Sequence, residues 1–444
     1  MSKVLLLQSP PPKFEDIQKS IFNEGAVDFL YRLHKTFEKS IEKLYKDRLR
    51  RTVTTQTLST LDFKRSPERS DKSWTIAPLP PRLLNRHLDL GDVSASNTAH
   101  FVSSLNEDVQ GIQVDFDDGH CPTWKNQLQA YQNIKLAVKG KLLGAPVTIT
   151  TSPILMLRPR AWNMIEHNIL LFSRLERNRF PGDREEFLLP DRNKYVNMDR
   201  HFLSSYLKLV VSTCHARGAP ATGGMAAAML KPGSDINDKE SKAIITKILA
   251  AKQKEIENGV DGFMVYDARV VPHINELWKK SGATPNQICK KFDVNITPQD
   301  LLSIPRDGVT LQGIRHNVAI TILFIYYWLA GIGHFFYSGN VEDSATAEIS
   351  RFQIWQWIRF APPLEDDPEV HVTARLIEKK AASFATHAHK NLCRSNAERK
   401  RLTAARYMSM ELFLCRNPPE FITTYLNDNH KFRTLHNKAL QSNL

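Results

Sequence analysis

Apolar positions change their spacing along the chain, and the changes mark out three segments. Over residues 26–50, Phe29, Leu33, Phe37, Ile41 and Leu44 fall on one face of a helix. A basic, polar stretch follows at 63–72, FKRSPERSDK, and reads as a solvated connection. Short apolar runs bounded by turn residues come next, at 75–77, 112–116, 147–157, 207–211 and 262–265. They alternate with helical patterns such as 239–258, which predicts β/α units and a parallel sheet. From about residue 273 the spacing is helical, and Ile349, Phe352 and Trp355 mark one face of a helix over 345–359. The organisation expected is an N-terminal helical segment (1–72), an α/β region (73–272) and a C-terminal all-helical domain (273–444).

Two stretches depart from this alternation. Residues 213–227, TCHARGAPATGGMAA, follow the apolar run 203–211. Gly218, Gly223 and Gly224 allow a tight turn or the close approach of a ligand, and 225–229 (MAAAM) reads as the start of a helix. Residues 318–333 are apolar, aromatic or small except at Thr321, yet fall short of the roughly 20 residues needed to span a bilayer. A buried or partner-facing helix is expected there, not a membrane span.

Composition narrows the class. In 444 residues, 42% hydrophobic and 24% charged, there is material for a sizeable core. The net charge of +13 comes without any aromatic-basic module, so it is read as a solvated basic surface and no nucleic-acid partner is expected. Cys121, Cys214, Cys289, Cys393 and Cys415 are odd in number and form no C-x-x-C pair, which excludes a disulfide framework and points to a reducing compartment. The N-terminal apolar run is too short for a secretory leader. Ser442-Asn443-Leu444 differs from the peroxisomal S-K-L tripeptide only in the middle, so a peroxisomal or glyoxysomal location is expected.

An ordered set of motifs carries the chemistry: WTIAPLP (74–80), VDFDDGHCPTWKN (114–126), LRPRAW (157–162), LLPDR (188–192), the glycine-rich TGGM (222–225), VEDSATAEISR (341–351) and IWQWI (354–358). In this order they resemble the malate synthase family, whose members condense acetyl-CoA with glyoxylate using Mg²⁺. The resemblance implies a TIM (β/α)8 barrel followed by a helical domain. It also implies a deletion: the family carries roughly 100 residues, with three more strands, between the segments like LRPRAW and LLPDR. Here only 163–187 lies between them, leaving about five of the eight strands and two unpaired edges. An open sheet, association through its edges or poor folding follows from that loss.

The resemblance assigns roles by position. Asp343, which alone would be read as a helix N-cap, matches the family's catalytic base. Arg158, which alone would be read as a salt-bridge partner, matches the Arg that contacts glyoxylate and stabilises the enolate. The family's metal-binding Glu and Asp belong to the missing segment. Asp115, Asp117 and Asp118 are the weak substitutes for Mg²⁺, with Glu166 and Glu176 weaker still. Gly223, Gly224 and Met225 are implied near acetyl-CoA, although Thr222 stands where the family has Met. Tyr266-Asp267 replaces a family His-Pro and places a negative charge where a CoA phosphate would pass. The expected partners are acetyl-CoA and glyoxylate, with self-association possible through the open edges. Loss of the metal ligands implies negligible turnover, and a non-catalytic remnant or interaction protein is the alternative reading.

Overall fold

The computed structural model describes residues 6–7, 9–57, 62–63, 66–146, 148, 153–161, 164, 166, 168–170, 188–292 and 294–428. Glu176, Trp162 and Ser442-Asn443-Leu444 lie outside them. Nine strands are described: β1 (Leu6–Leu7), β2 (Leu88–Val93), β3 (Gly111–Asp115), β4 (Ile154–Arg158), β5 (Ile169–Leu170), β6 (Thr222–Ala226), β7 (Gly262–Val265), β8 (Phe335–Tyr337) and β9 (Asn340–Glu342). Five of them form one parallel sheet in the order β4-β3-β2-β7-β6. Its first strand in sequence, β2, pairs with its last, β7. That neighbour relation is the closing seam of a barrel, so the sheet is a contiguous arc of an incomplete TIM barrel. The gap falls between β4 and β6, where the resemblance removes three strands. β1 and β5 form a separate antiparallel pair.

Several expectations for this region change. β2, the centre of the arc, is absent from the apolar runs because LDLGDV interrupts its buried Leu88, Leu90 and Val93 with Asp89, Gly91 and Asp92. Residues 75–77 are no strand; Ile76 donates its amide to Arg217 O at 2.9 Å. Of the run at 147–157, residues 147 and 149–152 lie outside the described residues, and Ile154 to Leu157 lie in β4. Residues 207–211 belong to the His201–Ala216 helix, whose buried Ser205, Val211 and His215 recur at helical spacing. A short apolar run cannot separate strand from helix, and here the longer period decides. Nor do 225–229 begin a helix. Met225 and Ala226 lie in β6 paired to β7, and the chain beyond is held by the β8–β9 hairpin, through Val341 N to Ala227 O and Met229 N to Gly339 O, both 2.9 Å. Sheet pairing overrides the helix propensity of alanine.

The hairpin also interrupts the helical pattern of the C-terminal region. Its turn, Ser338-Gly339, has positive φ at both positions (49° and 87°), the conformation that tight hairpins favour. Around it the Leu311–Trp328 helix forms the axis of the second core, and every residue from Asn317 to Tyr326 is buried. The Ser344–Phe360, Ala374–Asn391 and Asn396–Leu414 helices enclose it. Residues 318–328 of the apolar stretch therefore belong to a buried helix, while 329–333 lie beyond its end and Ala330 and Ile332 are exposed. Among the described residues no helix is long and apolar enough to cross a membrane. Each fully buried Ile or Phe on it contributes roughly 1.5–3 kcal/mol.

The two cores differ in closure. Neither the outer side of β4 nor that of β6 has a strand partner among the described residues, whereas the helical core is enclosed. Hydrogen exchange should therefore be slowest in the Leu311–Trp328 helix and faster in β4 and β6. Equal, strong protection of β4, β6 and the axial helix would show that the arc closes in solution.

Candidate active site

Parallel strands deliver their C-terminal ends to one face, and the polar side chains of the arc gather there. β2 contributes Asp92, β3 contributes Asp115 and the loop with Asp117 and Asp118, β4 contributes Arg158, and Tyr266 follows β7. The β3–β4 register places Asp115 opposite Arg158, and Arg158 Nε donates to Asp115 Oδ1 at 2.8 Å. Nη2 of Arg158 contacts Asp118 and lies 3.8 Å from Asp92 and 4.0 Å from Asp117. Carboxylate oxygens of Asp92, Asp115 and Asp118 all lie within 4.8 Å of one another.

Local backbone holds this crowd in place. Asp115 accepts from Asp117 N (2.8 Å) and Gly119 N (2.6 Å), while Asp117 accepts from Ala161 N at 2.8 Å. Asp117 is thus partly a strut between the loops that follow β3 and β4. At Asp92 the backbone is left-handed (φ 52°) and the β2–β3 register is irregular between Leu90 and Val93. Such an irregularity re-aims side chains at a strand end.

Asp343 arrives from the helical domain. It caps the Ser344–Phe360 helix, its Oδ1 accepting from Ala345 N (2.8 Å) and Thr346 N (3.1 Å), while Asp343 N donates back to Thr346 Oγ1 at 3.0 Å. The N-cap reading of Asp343 holds: the cap fixes the carboxylate, and the docking presents it to the acidic cluster. Docking rests on close contacts. His334 Nδ1 lies 2.8 Å from Gly119 O, Asn126 Nδ2 donates to Gly331 O at 2.8 Å, and a Cβ on Gly333 would lie 2.6 Å from the carbonyl carbon of His120. Only glycine fits that approach. From the LLPDR segment, Arg192 donates to Thr346 O (3.2 Å) and Ser350 Oγ (3.0 Å), bracing the first two turns of the helix that Asp343 caps.

One guanidinium does not neutralise this many carboxylates, and the titration of the group shows it. Burial, then the charges of Asp343 and Asp115, push Asp92 up to about 7, with Arg158 opposing. Burial also raises Asp343, against the pull of the Thr346 and Ala345 amides; Asp115 raises it further and Arg158 offsets part. Burial raises Asp117 as well. Around the rim, the Tyr266 ring sits 5.8 Å from both His100 and His334, and burial and the charge of Asp92 push its hydroxyl up to about 12. Buried His120 is pushed down to about 4, chiefly by burial, and its Nδ1 lies 2.8 Å from Ser94 Oγ.

Other expected residues do different work. Glu166 pairs with Arg160 and accepts from Asn168 N at 2.7 Å, outside the acidic cluster. Gly223 makes room for a helix: a Cβ there would lie 2.0 Å from Glu255, whose partner Lys252 donates to Gly224 O at 2.6 Å. Met225 faces Gly91 inside the arc. The Asp267 carboxylate is neutralised by Arg269 and accepts from Leu230 N at 2.9 Å, so it presents no free charge. Asp92, His120 and His334 escaped the sequence reading, and Tyr266 entered it only as half of the Tyr266-Asp267 pair. Only Asp92 left a signal, a carboxylate at the end of a run that alternates Leu88 and Leu90 with polar residues.

The chain matches two family descriptions in sequence, "Malate synthase, TIM barrel domain" over 170–304 and "Malate synthase, C-terminal" over 308–429. It belongs to the malate synthase family. The malate synthase of Myxococcus xanthus is 28% identical over 407 residues, covering 68% of this chain and 74% of that protein. The Oryza sativa protein of the same name is 25% identical over 479 residues, with 81% of this chain and 83% of the relative covered. A glyoxysomal malate synthase of Candida tropicalis is 26% identical over 457 residues, 77% of this chain and 82% of its own length. The rice alignment, at 479 positions, exceeds the 444 residues of this chain, so the relative carries sequence that this chain lacks. As a malate synthase family member it is an enzyme of the transferase class.

The site predicts a pH dependence of stability. Unfolded, Asp92 ionises near its ordinary 3.8; folded, it does so only at about 7, so the folded state holds an extra proton between those values. Through this group stability falls as pH rises across that window. Asp92→Asn, which also tolerates the left-handed backbone, should be more stable than the parent above pH 7 by roughly 1–3 kcal/mol and indistinguishable below about pH 4. Denaturant melts at the two ends of the window check this, and an unchanged difference across them would place the excess charge elsewhere.

Proposed function

We propose that this chain carries the malate synthase reaction, in which acetyl-CoA, glyoxylate and water give malate and CoA. The observation that supports it is the meeting of Asp343 and Arg158, from different parts of the chain, at the C-terminal face of the arc. Asp343, desolvated and with its proton affinity raised, is suited to take a proton from the acetyl methyl group. Arg158, permanently charged and one-third exposed, is suited to meet the enolate oxygen and the glyoxylate carboxylate. The capping amides of Ala345 and Thr346 hold the base in orientation, and the buried Leu311–Trp328 helix behind them keeps that end rigid.

The family's magnesium ion would find a chemically suitable set here. All donors are carboxylate oxygens, the ligands of hard cations, and a single guanidinium leaves their charge in excess. Asp92, Asp115 and Asp118 are the residues that would hold it. Bound there, it would supply Lewis acidity to a carbonyl oxygen. Arg158 competes for the same oxygens, and the family's own Glu and Asp lie in the segment this chain lacks, so turnover is expected to be far below that of a complete enzyme.

Two readouts separate the parts of this proposal. Glyoxylate-dependent release of CoA reports the whole reaction; exchange of the acetyl methyl protons with deuterated water reports proton abstraction alone. Asp343→Asn should lower both by about 10²–10⁴-fold. Neither signal rising above the Asp343→Asn background would make the chain a non-catalytic remnant of the family.

We also propose peroxisomal or glyoxysomal import through Ser442-Asn443-Leu444, in keeping with relatives named glyoxysomal in Candida tropicalis and Gossypium hirsutum. A receptor reads such a tripeptide independently of the fold behind it. A reporter carrying the C-terminal residues should become punctate with a peroxisomal marker and diffuse when the tripeptide is removed. A diffuse reporter in both cases removes the assignment.

A further inference from the structure

The Glu24–Thr57 helix is the longest among the described residues, about 50 Å at 1.5 Å per residue, yet no residue from 24 to 48 is buried. Isolated helices gain most of their stability from packing an apolar face. This one has such a face, and it is open: Phe29 is 56% exposed, Leu33 38%, Phe37 51% and Leu44 63%. At 100° per residue these four fall within one strip of the surface. The half-buried side of the helix, with Val27, His34, Glu38 and Tyr45, lies elsewhere on its circumference.

Along one border of the apolar strip runs a second row, Arg32, Lys35, Lys39, Lys43, Lys46 and Arg50, spaced three or four apart and exposed throughout. Arg32 pairs with Asp28 at 2.9 Å, Lys35 lies 3.8 Å from Glu38, and Arg50 pairs with Asp47 at 3.0 Å. Lys39, Lys43 and Lys46 have no ion-pair partner among the described residues. An apolar strip bordered by cations is the pattern of a helix that lies in the plane of a charged lipid surface, its aromatic and aliphatic side chains entering the acyl boundary and its lysines reaching the headgroups. A second copy of the chain suits it less well: antiparallel two-fold pairing on the apolar strip would set the cation row against itself.

We infer that the Glu24–Thr57 helix is a docking surface for anionic lipid, which binds the chain peripherally and without insertion of a span. The net charge of +13 adds to the attraction.

Sedimentation of the full chain with phosphatidylcholine vesicles, with and without phosphatidylserine, tests this. The serine-containing vesicles should retain about tenfold more protein at low salt, and added salt should diminish the difference. Two sets of exposed substitutions, Phe29→Ser with Phe37→Ser and Lys39→Glu with Lys43→Glu and Lys46→Glu, should each abolish the preference while circular dichroism stays unchanged. Equal binding to both vesicle types would overturn the inference. So would absence of vesicle binding combined with a dimer, seen by sedimentation equilibrium, that the Phe29/Phe37 substitutions make monomeric; the strip would then belong to a second copy.

Discussion

Pairing of the first strand of the sheet with the last is the constraint on which the rest depends. Leu88 lies against Phe263, Asp89 against Met264 and Leu90 against Val265. This seam turns sequence-distant β/α units into one arc and opens four strand ends on the same face. It requires close approach: a Cβ on Gly262 would lie 2.7 Å from Arg86 O, and one on Gly91 2.2 Å from the Met264 sulfur. The arc is thus fixed from its middle, which is why a chain without the strands between β4 and β6 still places Asp92, Asp115 and Arg158 together.

The helical domain completes what the arc begins. Its core does not rely on the sheet for closure, and it docks through Gly333 and His334 on the loop after β3, through Gly331 O on Asn126 of the Trp124–Val138 helix, and through Gln353 and Trp357 on the carbonyls of Pro190 and Leu189. The docking brings a fifth carboxylate, Asp343, to a cluster already crowded with four. Such a collection is tolerated because Arg158 sits among them, because Asp115 and Asp343 accept backbone amides, and because Asp92 keeps a proton to near neutrality. Buried negative charge of this kind is a poor device for stability and a good one for binding cations or moving protons.

Incompleteness of the barrel has a local meaning. The strands that remain, with their loops, supply the Arg158 guanidinium and the acidic cluster, and the helical domain supplies the Asp343 carboxylate.

Reading residues alone, the sequence determined the parallel β/α character, the burial of the helical part of 318–333 and the helix that begins at Asp343. These depend on periodicity within a short window, which local spacing records. Ordered motifs added the family and singled out Arg158 and Asp343, which the fold brings to one acidic cluster. Tertiary structure alone decided the rest. β2 was invisible because its polar positions serve the site and the Arg86 pair, so the apolar pattern of a buried strand is broken where function intrudes. MAAAM became strand and coil because β7 and the hairpin outbid alanine's preference, a contact no local window contains. Asp92 joined Asp115 and Asp118 only through the β2–β3 pairing and its left-handed bend. Spacing fixes what a segment is; which charges meet is set by pairings between residues far apart in the chain.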